Sequence, residues 1–520
     1  MNLYRLLFLP LVIIAIDLAA TPAPGQQALE FHCAGITQLA GDSNLVTIQR
    51  ILALRSTTNL QQVALRRFSR LLTNNIRTVN PASSNLFIEP LLKDVLEAES
   101  LGSFGGTSAE ARSFILALRL DQTRMQLWQE NLSKVLGSVG ESFTSQGFSG
   151  SRWIQGDTNF LWSIAAHDWL LVGLGNDFSS LQAQYLKEIQ AQGRPVPSLE
   201  HNWLEADLDT GRLVGWFGFL KPARIKITIA PDAGNLQINA RLLEAEDTAW
   251  GPDRWRIPRK LMHRRTISFT AAQNVAALLK VNPAYSELPG NPLTNQFYCW
   301  ASDQMPLLNY MAWPEADATN VLQRLSKVAP AALNPVLKPF NASELVWRPE
   351  ANQLVWMNMS MFAPVLQAEQ CEDGQFLLFS SFPLPENEPA PESILAHIEG
   401  RTNLVYYDWE FTGPRMAQWQ MLSKMIDNRS SSQNIEIVSG VKAENEWLGT
   451  IARLAGETVT EVAQVSPREF SATRTGPIGF TAVELVLLAD WICEANSGPI
   501  FPRPSGKPPG PKATPIPVRR

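Results

Sequence analysis

The residues best suited by type and spacing to do chemistry are two carboxylates, Asp408 and Glu410, in Tyr406-Tyr407-Asp408-Trp409-Glu410. Residues two apart on a strand project from the same face, so the pair could share a cleft. Paired carboxylates beside aromatic rings suit glycoside hydrolysis. The same spacing also describes a solvated strand face, or a strand end ahead of a helix capped at Thr412. Asp408 and Glu410 are therefore weak catalytic candidates. His167-Asp168, with Ser163 or Ser179 as nucleophile, supplies the residue types of a hydrolase site. Adjacency in the chain, however, does not turn the His and Asp side chains toward each other.

Other chemistries lack their motifs. The chain has no H-E-x-x-H, G-x-S-x-G, Walker loop or C-x-x-C. Gly173-Leu174-Gly175-Asn176-Asp177-Phe178 has Phe178 where the dinucleotide fingerprint needs its third glycine, and it reads as a strand-to-helix turn. Cys33, Cys299, Cys371 and Cys493 are too far apart for a zinc knuckle. They allow three complete disulfide pairings, and free buried thiols suit a chain of this size equally. The expectation is no metal and no cofactor; the balance leans against an enzyme without deciding it.

Positioning any site falls to a mixture of helices and strands. Helical periodicity runs from about residue 43 to 140, with one helix from Leu60 to Leu72, one beginning near Pro90 and one opened by Asp121. After Gly150 strands take over: Phe160–Ile164 beside Trp169–Val172, and two hairpins. The first hairpin joins Arg224–Ile229 to Asn235–Asn239, the second Leu345–Trp347 to Leu354–Trp356. Their alternation gives each one wet face. The fold class expected is α+β: two related halves of antiparallel sheet plus helices, preceded by a mainly helical segment and followed by a disordered Pro-rich tail.

Two self-similarities suggest an internal duplication. Gly156-Asp157-Thr158-Asn159-Phe160-Leu161-Trp162 resembles Gly400-Arg401-Thr402-Asn403-Leu404-Val405-Tyr406, and Phe269-Thr270-Ala271 resembles Phe480-Thr481-Ala482. In the second match each Thr is read as a helix N-cap, with Gln273 or Glu484 completing a capping box. The helix from Thr481 to Ile492 is almost wholly apolar and should be buried. The division expected is 1–25 signal peptide, 26–150 mainly helical, 151–265 the remainder of the first half, 266–497 the second half and 498–520 the tail. Residues 254–265, rich in Arg and Lys, read as an exposed linker.

The ends carry the plainest signals. Arg5, an apolar run from Leu6 to Ile16 and the small residues around Ala19–Gly25 have the three-part form of a secretory signal. The protein is thus expected to be exported, periplasmic or extracellular, or else anchored by that segment uncleaved, its sole membrane contact. The 23 residues from Gly498 hold five basic residues and no acid. A net charge of −5 over 520 residues argues against a nucleic-acid partner. The 16 tryptophans are scattered along apolar segments and suit core packing. The function expected is a non-enzymatic binding or envelope-associated module, its partner a cell-envelope polymer or another envelope protein; the alternative is a secreted hydrolase acting on glycans.

Overall fold

The computed structural model describes residues 27–75, 81–106, 112–154, 160–175, 179–210, 223–244, 253–262, 266–275, 295–303, 309–337, 344–357, 364–381, 390–427 and 435–493. The segment read as a secretory signal, the tail and three of the four N-x-S/T glycosylation sequons (Asn341, Asn358 and Asn428, but not Asn131) lie outside them.

Among the described residues, twenty strands form one antiparallel sheet. The first ten are β1 (Gln27–Cys33), β2 (Ser100–Gly106), β3 (Arg112–Arg119), β4 (Glu141–Ser145), β5 (Phe148–Ile154), β6 (Phe160–Ala166), β7 (Trp169–Leu174), β8 (Leu204–Asp209), β9 (Ala223–Asp232) and β10 (Asn235–Glu244). The second ten are β11 (Thr266–Gln273), β12 (Gln296–Ser302), β13 (Asn309–Glu315), β14 (Glu344–Arg348), β15 (Gln353–Met357), β16 (Val365–Cys371), β17 (Gly374–Ser380), β18 (Leu404–Phe411), β19 (Glu457–Ser466) and β20 (Glu469–Gly476). The helices are α1 (Ile36–Gly41), α2 (Val46–Leu52), α3 (Arg55–Asn75), α4 (Pro81–Glu97), α5 (Gln122–Leu136) and α6 (Ser179–Gln192). They continue with α7 (Ala318–Leu337), α8 (Glu392–Leu395), α9 (Thr412–Asp427), α10 (Ile435–Ile451) and α11 (Ala482–Cys493).

From one edge to the middle, the first ten strands pair in the order 4-5-6-7-3-2-1-8-9-10. From the other edge, the second ten pair as 14-15-16-17-13-12-11-18-19-20, which is the same order with ten added. The sets meet where β10 pairs antiparallel with β20, from Leu236↔Gly476 to Leu243↔Glu469. Each set's last strand is thus its seam strand.

Alternation divides each central strand into a buried and a wet side. Ile225, Ile227, Ile229, Leu236, Ile238 and Ala240 are buried, while Arg224, Lys226 and Arg241 are exposed and Thr228, Gln237 and Asn239 half-buried. The buried side packs on Ile48 and Ile51 of α2 and Leu60 of α3, and also on α10 and α11 through Trp447, Leu448, Leu485 and Val486. Helices from the far end of the chain therefore roof the first half's strands. On the opposite face, Phe269, Tyr298, Trp300, Tyr310 and Tyr407 form an aromatic core in the second half.

Several local expectations meet the structure directly. Asp121 caps α5 by accepting from the Arg124 amide at 2.8 Å. The β9–β10 hairpin turns through Ala233 and Gly234, both at positive φ, as a tight two-residue turn requires. Trp128, Trp153, Trp162, Trp169, Trp255, Trp300, Trp409 and Trp447 are buried. All four cysteines are free thiols.

Others are corrected. Helices dominate residues 36–97, but the stretch 26–150, expected to be mainly helical, also holds β1, β2, β3 and β4. Pro90 lies inside α4, whose first residue is Pro81. Thr270 is no helix cap: it sits in β11, paired with Cys299 of β12 and Asp408 of β18, while Thr481 does precede α11. The Gly156 and Gly400 matches lead into β6 and β18, which hold different places in the shared order. The basic segment is not a free linker, because Trp255, Ile257, Leu261 and Met262 are buried in the aromatic core. Arg256 there donates to the carbonyls of Asp373, Glu315 and Gln375. Within α11, Leu487 is exposed, so the helix is roofed on most sides but not all.

Candidate functional site

Asp408 and Glu410 share a face of β18, as their spacing requires, but that face is interior: they are 8% and 5% exposed. Between and beside them Tyr407 and Trp409 point into the aromatic core. The carboxylates therefore turn toward the helical layer, beneath α9 and α11. The solvated-face reading is wrong because two helices close over a surface whose alternation alone looks like a wet strand.

Their surroundings are a polar row crossing five strands. Register places Cys299 (β12), Thr270 (β11), Asp408 (β18), Thr460 (β19) and Arg474 (β20) side by side. The next rung on this face carries Ser268, Glu410, Thr458 and Gly476. Thr270 Oγ1 donates to Asp408 Oδ1 at 2.6 Å. The Ala482 amide, first in α11, donates to Glu410 Oε1 at 2.6 Å, a position where the helix dipole favours negative charge. Arg474 Nη1 pairs with both oxygens of Glu484 at 3.0 and 2.8 Å, and its Nε donates to Thr460 Oγ1 at 2.8 Å. Glu484 Oε2 also accepts from the Thr481 amide at 2.8 Å, one arm of a capping box. From α9, Arg415 donates to Asn309 Oδ1 and Gln418 Oε1 at 2.9 and 2.6 Å.

Burial sets the electrostatics. It pushes Asp408 up to about 6, against the opposing hydrogen bond from Thr270 and the charge of Arg474. It pushes Glu410 further, to about 8, because the negative charge of Asp408 adds to it. Burial also raises the Cys299 thiol to about 11, which leaves it protonated and unreactive at neutral pH. The arrangement can hold a proton and orient two helices, but it offers a sugar ring no approach among the described residues.

The second candidate set is not assembled. Ser163 is wholly buried in β6, whereas His167 and Asp168 are exposed on the β6–β7 turn and Ser179 is exposed at the start of α6. Gly173 belongs to β7, where its missing Cβ makes room for the Trp162 ring. A cleft of about 380 Å³ opens elsewhere, lined by Thr37, Gln38, Asp94, Glu97, Glu99 and Arg119. Its acids are engaged: Asp94 by Arg124 and Trp128, Glu99 by Arg194 at 2.6 Å and His32 at 3.1 Å. Among the described residues, no group of three or more His, Cys, Asp or Glu could hold a metal, and no helix is long and apolar enough to cross a membrane.

Sequence reasoning missed Arg415 and Arg474, and it placed Glu484 in a capping box without its ion pair to Arg474. The two arginines had no signal, since pairing of distant strands brings in Arg474 and helix packing brings in Arg415. No protein-family model, curated protein or solved structure matches the chain.

Proposed function

We propose that the chain is an exported, non-enzymatic binding module of the cell envelope, built from two copies of one α+β unit. The observation that carries the reading is the wet face of the seam strands. On β9, β10 and β20 it presents Thr228, Gln237, Asn239, Ser471, Thr473 and Thr475, half-buried side chains with hydroxyl and amide groups. Such a floor offers many hydrogen bonds to a hydroxyl-rich polymer or a protein surface, without a reacting group. The shared strand order supports the two-copy reading, and the basic, small-residue N-terminus supports export. The five cationic residues after Gly498 suit an anionic envelope polymer.

The test uses isolated envelope material. Wild type should be retained, and a floor variant carrying Asn239→Arg and Thr473→Arg should be released while its melting is unchanged. Equal retention of both proteins would remove the floor from consideration. Glycan turnover by wild type that disappears in Asp408→Asn and Glu410→Gln would instead establish the hydrolase.

A further inference from the structure

The molecule contains its own control for the polar row. The row that runs Cys299–Thr270–Asp408–Thr460–Arg474 continues across the seam as Ile238, Ile229 and Leu204. The strands holding the same places in the first half, β1, β8, β9 and β10, meet the helical layer with hydrocarbon. Leu29 stands opposite Leu208 and Phe31 opposite Ala206, and Ile225, Ile227 and Ile229 follow on β9. The composition of the surface changes at one pair, Ile238 and Arg474. The same architecture is thus packed once with oil and once with five charges, although replacing buried ion pairs by well-packed apolar groups is often neutral or stabilising. Packing alone does not account for the second solution.

Counting charge shows what the second solution can do. Among the described residues, the charged groups facing the space are Asp408 and Glu410 from β18, Arg474 from β20, Arg415 from α9 and Glu484 from α11. The other facing groups, Tyr406, Thr270, Ser268, Cys299, Thr458, Thr460, Thr412, Gln418 and Thr481, offer hydroxyl, thiol or amide groups. Three acids against two guanidiniums leave one negative charge in excess, in a place where an uncompensated charge is expensive. One proton neutralises it. Glu410 accepts from the first amide of α11 and also from Thr412, the first residue of α9, so its charge bears on both helices.

We propose that the second half's polar row is a proton-operated latch: one proton, held on Glu410 beside the charge of Asp408, keeps α9 and α11 seated on the sheet, and its loss loosens them. A carboxylate held above its ordinary value stabilises the closed state fully below that ordinary value, 4.5 for Glu410. The stabilisation is lost as pH rises through the raised value, about 8. The latch is therefore tight in acid and loose in mild alkali.

Hydrogen exchange of the full chain, corrected for intrinsic rates, tests this. In wild type, protection of the α11 amides should fall by up to about ten-fold per pH unit between pH 5 and 8, the slope of one linked proton, while α5 stays unchanged. Glu410→Gln keeps the accepting oxygen without the charge, and its α11 protection should be flat across that range. Asp408→Asn provides a second reading if the first variant folds poorly: removing the neighbouring charge should move the fall to lower pH. A flat profile in wild type, or a fall that is unchanged in Glu410→Gln or in Asp408→Asn, would overturn the latch.

Discussion

Thr270 donates to Asp408 at 2.6 Å across β11 and β18, where the strands in the same places of the first half set Leu29 opposite Leu208. One fold therefore supports either chemistry at this position. The polar version brings dependence on protonation and on specific partners, which the apolar version lacks.

Arg474 and Glu484 form a pair whose side chains are 2% and 7% exposed. Arg474→Met should destabilise by about 3–5 kcal/mol, because it strands a buried carboxylate. Arg224, paired with Asp207 on the wet face with 57% of its side chain exposed, should cost no more than about 1 kcal/mol when changed to Ala. Urea unfolding of both variants checks the contrast, and equal losses would contradict the assignment of faces.

Gly173→Ala should fail through overpacking. A Cβ there would lie 2.1 Å from the Trp162 ring, which is itself buried. The expected loss is about 1–3 kcal/mol, read as a lower thermal midpoint. An unchanged midpoint would mean that the ring moves freely.

Asp121→Ala removes the side-chain acceptor at the start of α5. The expected cost is about 1 kcal/mol, and helix α5 should exchange faster at its first turn. Gly137, at positive φ, holds the other end and should keep the last turn protected.

Asn131 should stay unmodified in a host that glycosylates exported proteins. Its side chain is buried and donates to the Phe87 carbonyl at 3.0 Å. Peptide mass mapping gives the answer, and a glycan at Asn131 would show that α5 is not docked as described.

What could be read from sequence divides by range. The β9–β10 hairpin was legible because Ile225, Ile227 and Ile229 alternate with polar residues up to a turn, and α5 because Asp121 announces it. The strand carrying Asp408 and Glu410 was legible too, as was their common face. Which side of β18 is covered was not, since the covering helices are decided by packing far along the chain. Thr270 misled because the spacing of a capping box occurs by chance within a strand, where pairing with β12 and β18 overrides it. The repeated strand order was invisible, because it lies in pairings and not in residues.

The most direct test of the buried, proton-holding pair is the ionisation of Glu410 itself, followed by carbon-13 NMR of the labelled carboxyl from pH 4 to 9. Glu315, which burial raises to about 7 despite Arg256 and Arg324, is separated by its own resonance, identified with Glu315→Gln. Glu410 should titrate near 8 in wild type and lower in Asp408→Asn. Titration of Glu410 near 4.5, unaffected by Asp408→Asn, would mean an exposed carboxylate and would contradict the account.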